Sequence, residues 1–330
     1  MANQIFTNIS TNSLPLKLYP AAQRVTFLYY LGRFNLSNNH YHRAAACLEE
    51  AYLETPPQLV SHRKRILTYL IPSNLFMGRL PTQALLQRPE AETLAPVFAP
   101  LAASIRTGNF VLFQHSLAAH EPWLLDKGLL IPLTHRLRPF LWRSLSRRVF
   151  MLTYVPAPDD VNSRKAAVLD LSHLHVAATF LQHFLEGYVP APPTAGPRPH
   201  LRLPPGAGVS PMFIKALRNS AAEAEAASDH STLEPPAGGP RRLRPNEGLV
   251  WGNADVTMQD VEMVVLSLID QGLLHGFVAH SAGKFAIMGG KVRGGPLAAG
   301  WPCVAQAIRE RTYPNGAEVD WDSIPGWKKH

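Results

Sequence analysis

Residues 256–289, VTMQDVEMVVLSLIDQGLLHGFVAHSAGKFAIMG, constrain the fold of this chain more than any other stretch. Val261, Val264, Val265, Leu268 and Ile269 recur at i, i+3, i+4, i+7 and i+8, which paints one apolar stripe along a helix that must bury that side. Thr257 is placed to cap its start, with Asp260 three residues on in an acidic variant of the capping box. Gly272 supplies the stop. Leu273, Leu274, Phe277 and Val278 then read as a strand, Ser281 to Lys284 as a turn, and Phe285 to Ile287 as the returning strand.

A helix that feeds directly into a hairpin is how a winged-helix module ends, the hairpin being the wing. The chain before it reads differently. Residues 1–20 are rich in Asn, Ser and Thr and form a loosely held lead-in. From Arg24 to Phe34 the letters RVTFLYYLGRF suit a buried helix, Asn38 and Asn39 make a turn, and Tyr41 to Thr55 form a second helix. Leu28, Leu31, Gly32, Ala44, Leu48, Ala51 and Pro56 reproduce the spacing of a tetratricopeptide hairpin, in which small residues let two helices approach closely. Further helices follow at Leu59 to Met77, which Pro72 should kink or break, from Pro81 or Thr82, at Ala95 to Thr107, and at Phe110 to His120. Short helices at these intervals predict a solenoid of stacked hairpins over 21–154, which offers surface in place of a pocket.

From Ile131 to Tyr154 the stretch contains Arg136, Arg138, Arg143, Arg147 and Arg148 and no acidic residue. Leu137, Leu141, Leu145, Val149 and Leu152 step by three and four, which puts the arginines largely on the opposite side, as a solvated face or a binding surface. Pro156 to Asp160 is a loop, and Leu169 to Gly187 returns as a helix. Between Tyr188 and Asn246 the chain carries twelve prolines and an Ala/Glu-rich piece, with a short helix expected at 211–227. This is an insertion within a winged-helix region spanning 155–290, and its basic end, Arg241, Arg242 and Arg244, leads into strand-like Gly248 to Asn253. The tail, 291–330, has a helix at Val304 to Arg311, with Trp321 and Trp327 expected to dock back on the body.

Composition narrows the function classes. A net charge of +8 favours an acidic partner, whether nucleic acid, acidic protein or membrane surface. Cys47 and Cys303 have no C-x-x-C spacing, so neither a disulfide framework nor a zinc site is expected, and Cys47 should be an inert buried thiol. No apolar run approaches the roughly 18 residues that span a bilayer, and the polar start lacks a signal-peptide core, so the expectation is a soluble intracellular chain. G-x-S-x-G, Walker, H-E-x-x-H and dinucleotide signatures are absent, and no cofactor or metal is expected. His173 and His175, two apart on a helix, point about 200° from one another and cannot share a metal on their own.

The strings AAQRVTFLYYLGRF, RAAACLEEAY, RKRILTYLIPSNLFMGRLPTQALL, IRTGNFVLFQHSLAAHEPWLLDKGLLIPL, LWRSLSRRVF and LIDQGLLHGFVAHSAGKFAI occur in that order. They resemble the PCI subunit of the nuclear transcription-export complex two and its relative, the signalosome-subunit-twelve-like protein. The resemblance implies a mainly α fold, a tetratricopeptide-like solenoid closed by a winged helix. It also implies a non-catalytic nuclear scaffold, pairing with a larger PCI subunit, with a small acidic proteasome-lid-type protein and, without sequence preference, with RNA or DNA. Carried onto this chain, His275, His280, Lys284, Lys291 and Arg293, with Arg241 and Arg242 of the insertion, are nucleic-acid candidates or a solubilising rim. Arg143, Arg147 and Arg148 are candidates for the acidic partner or for an extension of the nucleic-acid surface. Phe277, Val278 and Phe285 would make the subunit contact or complete the core. A stand-alone DNA-binding winged helix is the alternative of another class, disfavoured because the helix carries Asp255, Asp260, Glu262 and Asp270 and almost no cation. The resemblance would also imply further N-terminal hairpins, and the long proline-rich insertion at 188–246 is unexpected in it.

Overall fold

A computed structural model describes residues 15–155, 166–190, 233–312 and 327–329, and among them the chain is mainly helical. Two compact units emerge, one of residues 1–178 with 256–330 and one of residues 179–255.

The first unit starts with helices α1 (Ala21–Ser37) and α2 (Tyr41–Glu54), reversed over a turn in which Asn39 takes φ 62°. The small residues have the predicted purpose. A Cβ on Gly32 would stand 2.6 Å from Leu48 Cγ, and Ala44, Leu48 and Ala51 are fully buried. Cys47 is half-buried, and burial with help from the Glu50 charge pushes its thiol up to about 11, which keeps it protonated and unreactive.

Helix α3 (Val60–Phe76) runs through Pro72 without the break that is one of the two expected outcomes. Every residue from Ile66 to Phe76 is buried, so packing on all sides holds the helix where the missing amide would otherwise end it. Strand β1 (Arg79–Pro81) leads to the short α4 (Gln83–Leu86), whose start Thr82 caps by accepting from Leu85 N at 3.2 Å. Between these elements lies a buried polar knot. Tyr52 donates to Glu90 Oε1 at 2.6 Å, Arg63 Nη1 reaches the same oxygen at 3.0 Å, and Arg88 Nη1 donates to the Tyr52 hydroxyl at 2.8 Å.

Helix α5 (Ala95–Thr107) ends at Gly108, in the left-handed region, and Asn109 caps α6 (Phe110–Ala119) through Leu112 N. After α7 (Glu121–Asp126) and α8 (Leu130–Arg136) comes α9 (Arg138–Thr153), which packs on α5 and α8. Its apolar stripe differs from the predicted one at two places. Leu152 is 79% exposed, and Arg143 lies inside.

Residues 166–178 and 256–287 build the winged helix. Strand β2 (Val168–Asp170) precedes α10 (Leu171–Leu185), and α11 (Met258–Asp270) precedes the hairpin β5 (Gly276–Ala279) and β6 (Lys284–Ile287). The sheet is antiparallel in the order β2-β6-β5, with Leu169 and Val278 both opposite Phe285. The expected helix at Leu169 is thus a strand for its first residues, and Leu273 and Leu274 are buried linkers outside the hairpin. Two short helices, α12 (Pro296–Gly300) and α13 (Val304–Thr312), follow, the second as predicted. Residues Trp327–Lys329 pair antiparallel with β1, Arg79 opposite Lys329.

In the second unit β3 (Val189–Pro190) pairs with β4 (Leu233–Glu234). The expected strand at Gly248 to Asn253 is a run of turns wound around buried Gln182, which donates to Gly252 O at 2.9 Å and accepts from Leu249 N at 2.9 Å. A glutamine that satisfies two backbone groups removes the need for a ladder. The expected helix at 211–227 and Trp321 lie outside the described residues.

Candidate partner and nucleic-acid surfaces of the winged helix

Helix α11 forms where the sequence places it. Thr257 Oγ1 accepts from Asp260 N at 3.2 Å and Asp260 Oδ2 accepts from Thr257 N at 2.9 Å, which closes the capping box. Val261, Val265 and Leu268 are buried beneath it. The outer face carries Met263, 66% exposed, and Leu266, 42% exposed, beside Ser267 and Asp270. The helix contains neither lysine nor arginine. Sequence reasoning missed Met263 and Leu266, although both stand out of the buried stripe in its own periodicity.

The hairpin is held by close backbone approach. A Cβ on Gly276 would lie 2.2 Å from Ala286 O, so only glycine fits opposite the returning strand. Phe285 is fully buried against Trp301, with ring centroids 6.2 Å apart, and completes the core. Val278 is half-buried, and Phe277 stands 52% exposed.

The candidate cations separate into three groups. At the wing tip His280 Nδ1 lies 2.7 Å from Glu262 Oε1, and Lys284 stands opposite Asp170 in the strand register. Asp170 is held below its usual range first by the Ser172 amide and last by the Lys284 charge. Carboxylates therefore offset the tip. At the other end His275 and Arg293 line a cleft of about 680 Å³ together with Asp270, Glu310 and Arg311, and Lys291 is exposed nearby in sequence. Arg241 and Arg242 are exposed in the second unit, where Arg241 Nη2 lies 3.7 Å from Glu247 Oε2.

Of the three arginines in LWRSLSRRVF, Arg147 and Arg148 are exposed on α9. Arg143 is interior, a correction to its place on a partner surface. Its Nη2 donates to Trp301 O at 3.2 Å and Pro302 O at 2.7 Å, and burial, with the neighbouring Arg147 charge, brings its pKa down to about 10. Trp301 in turn donates from Nε1 to Ser146 Oγ at 3.1 Å and packs on Phe150 at 5.0 Å. Replacing Arg143 by alanine should lower stability by about 2–4 kcal/mol, since two buried carbonyls lose their donor. Arg147→Ala should stay within about 0.5 kcal/mol of the parent in the same urea titration. Equal losses for the two would refute the interior role.

His175 is also accounted for: its Nε2 lies 2.8 Å from Val256 O, just ahead of α11. Among the described residues no three His, Cys, Asp or Glu side chains are grouped to hold a metal ion, and no helix is long and apolar enough to cross a membrane.

No family model matches the chain. It is similar to PCI domain-containing protein C1105.07c of Schizosaccharomyces pombe, 30% identical over 156 residues, 47% of this chain and 35% of the relative. It is 36% identical over 138 residues to the protein CSN12 homolog of Gibberella zeae, 42% of this chain and 30% of the relative. It is 28% identical over 134 residues to the PCI domain-containing protein 2 homolog of Drosophila melanogaster, 41% of this chain and 33% of the relative. The chain thus spans about a third of the length of these curated relatives. The helical stack closed by a winged helix fits the PCI-type fold that their names carry.

Proposed function

We propose that this PCI-type chain is a non-catalytic scaffold subunit of a nuclear mRNA-export complex that couples transcription to export, acting at the nuclear pore. Its winged helix pairs with a larger PCI subunit, the exposed Arg147 and Arg148 meet a small acidic proteasome-lid-type protein, and the assembly binds RNA or DNA without sequence preference. The observation that carries this reading is the outer face of α11. The surface that a DNA-reading winged helix lays in the major groove is here apolar and acidic, with Met263 and Leu266 exposed and no cation on the helix. Phosphate would be repelled from such a face, whereas a protein partner would bury it.

A second reading, a signalosome-related PCI subunit of a splicing-linked nuclear complex, is supported by relatives named CSN12 homolog at comparable identity. The two differ in the large partner. Tagged chain captured from cells and identified by mass spectrometry should bring down one large PCI protein together with a small acidic one. Met263→Glu combined with Leu266→Glu should cut recovery of the large partner at least tenfold while the fold, followed by circular dichroism, persists. Capture of neither partner by the parent chain, or full recovery with the double variant, would remove the scaffold reading.

A further inference from the structure

A second cleft, of about 690 Å³, opens in the first unit between the start of α2, the α8–α9 junction and the ends of α11 and α13. Its wall carries His40, His42, Arg43, His135, Arg136 and Arg311, and not one aspartate or glutamate among the described lining residues. Among the described residues Arg43, Arg136 and Arg311 make no ion pair, and Arg43 and Arg136 line this cleft alone. Arg136 is nevertheless positioned: its Cζ lies 5.8 Å from the centre of the Tyr41 ring. That ring packs on Phe76 at 4.6 Å, and the Tyr41 hydroxyl donates to Asn39 Oδ1 at 2.6 Å. The 14-residue α2 and the 16-residue α9 both begin at this wall, and neither has a side-chain cap or an acidic residue in its first turn. The positive ends of the two helix dipoles add to the field that the arginines set up.

We propose that this cleft binds a compact anion carrying several phosphate groups, of the kind presented by an inositol polyphosphate or a short linear polyphosphate. The inference is independent of the scaffold reading. Its volume lies within the roughly 300–1,000 Å³ of small-molecule sites. The excess positive charge also stops at its edge. The adjoining cleft, which shares Gln271 and Arg311, sets Asp270 and Glu310 against Arg293 and Arg311, so a nucleic-acid strand would leave the cationic wall within one cleft. Three arginines with planar, multidentate donors suit clustered phosphate oxygens on a single small molecule.

The full chain, purified with whatever subunits accompany it, is titrated calorimetrically at 150 mM salt with myo-inositol hexakisphosphate and with inorganic tripolyphosphate; the tighter of the two identifies the source. Arg43→Ser combined with Arg136→Ser should weaken that binding at least tenfold. Lys64→Ser combined with Arg65→Ser, exposed on α3 and outside the cleft, should change it less than twofold. Should the double variant misfold, the single Arg311→Ser, at an exposed helix end, is expected to weaken binding at least threefold. The proposal fails if neither probe binds, if the cleft variants bind as the parent does, or if a 20-nucleotide oligouridylate displaces the probe at equal phosphate concentration.

Discussion

Alanine at position 108 is expected to destabilise the folded chain by about 3 kcal/mol or more, the sum of a left-handed backbone and a backbone collision. Gly108 ends α5 at φ +70°, and a Cβ there would stand 2.4 Å from Leu145 N and 2.8 Å from Leu145 Cα on α9. Main-chain atoms of a packed helix cannot rotate aside as a side chain can. Gly128 supplies the comparison, since it has φ +67° with nothing within 4 Å of an added Cβ. Gly128→Ala should therefore show only the conformational part, about 1–2 kcal/mol. Urea titrations of the two variants separate the contributions. Indistinguishable midpoints would mean that α5 and α9 do not approach as closely as described.

Removing Glu90 should cost about 3–5 kcal/mol, because Glu90→Ala leaves Arg63 half-buried without its counter-charge and Tyr52 without its acceptor. Burial alone would raise the Glu90 carboxyl, but the Tyr52 hydroxyl, a backbone hydrogen bond and the Arg63 and Arg88 charges outweigh it and hold the group below the usual carboxylate range. The sign of the pH dependence follows. An acid whose folded pKa is depressed stabilises the fold fully above its unfolded value and loses that contribution as pH falls through the folded value. Stability of the parent should thus fall on acidification below the ordinary glutamate range, and Glu90→Ala should show a shallower fall over the same interval. A parallel acid dependence in both proteins would show that the knot is not linked to proton binding.

The readable parts of this fold are those whose cause lies within a few residues. Gly32 facing Leu48, the Thr257–Asp260 box and the helix at Val304 all follow from local spacing and local capping. What escaped depends on distant partners. Strand β2 is three residues long and pairs with β6 more than a hundred residues later, too short for periodicity to register. Leu169 therefore read as helix. Arg143 reads as surface because a charge in a helix is ordinarily solvated, yet α9 is buried around most of its circumference from Phe140 to Ser146. The small polar residues Ser144 and Ser146 beside it were the available hint. The cationic cleft draws its wall from five separate segments, none of which is a basic cluster by itself. Of the wing candidates, Phe285 has an interior position, whereas Phe277 remains open to solvent.

Trp301 touches Phe150 and Ser146 on one side and Phe285 on the other, with Arg143 clamping its carbonyl. Such an arrangement works as a keyed joint. One indole ring is thus shared between the hairpin, through Phe285, and the ninth helix, through Phe150 and Ser146.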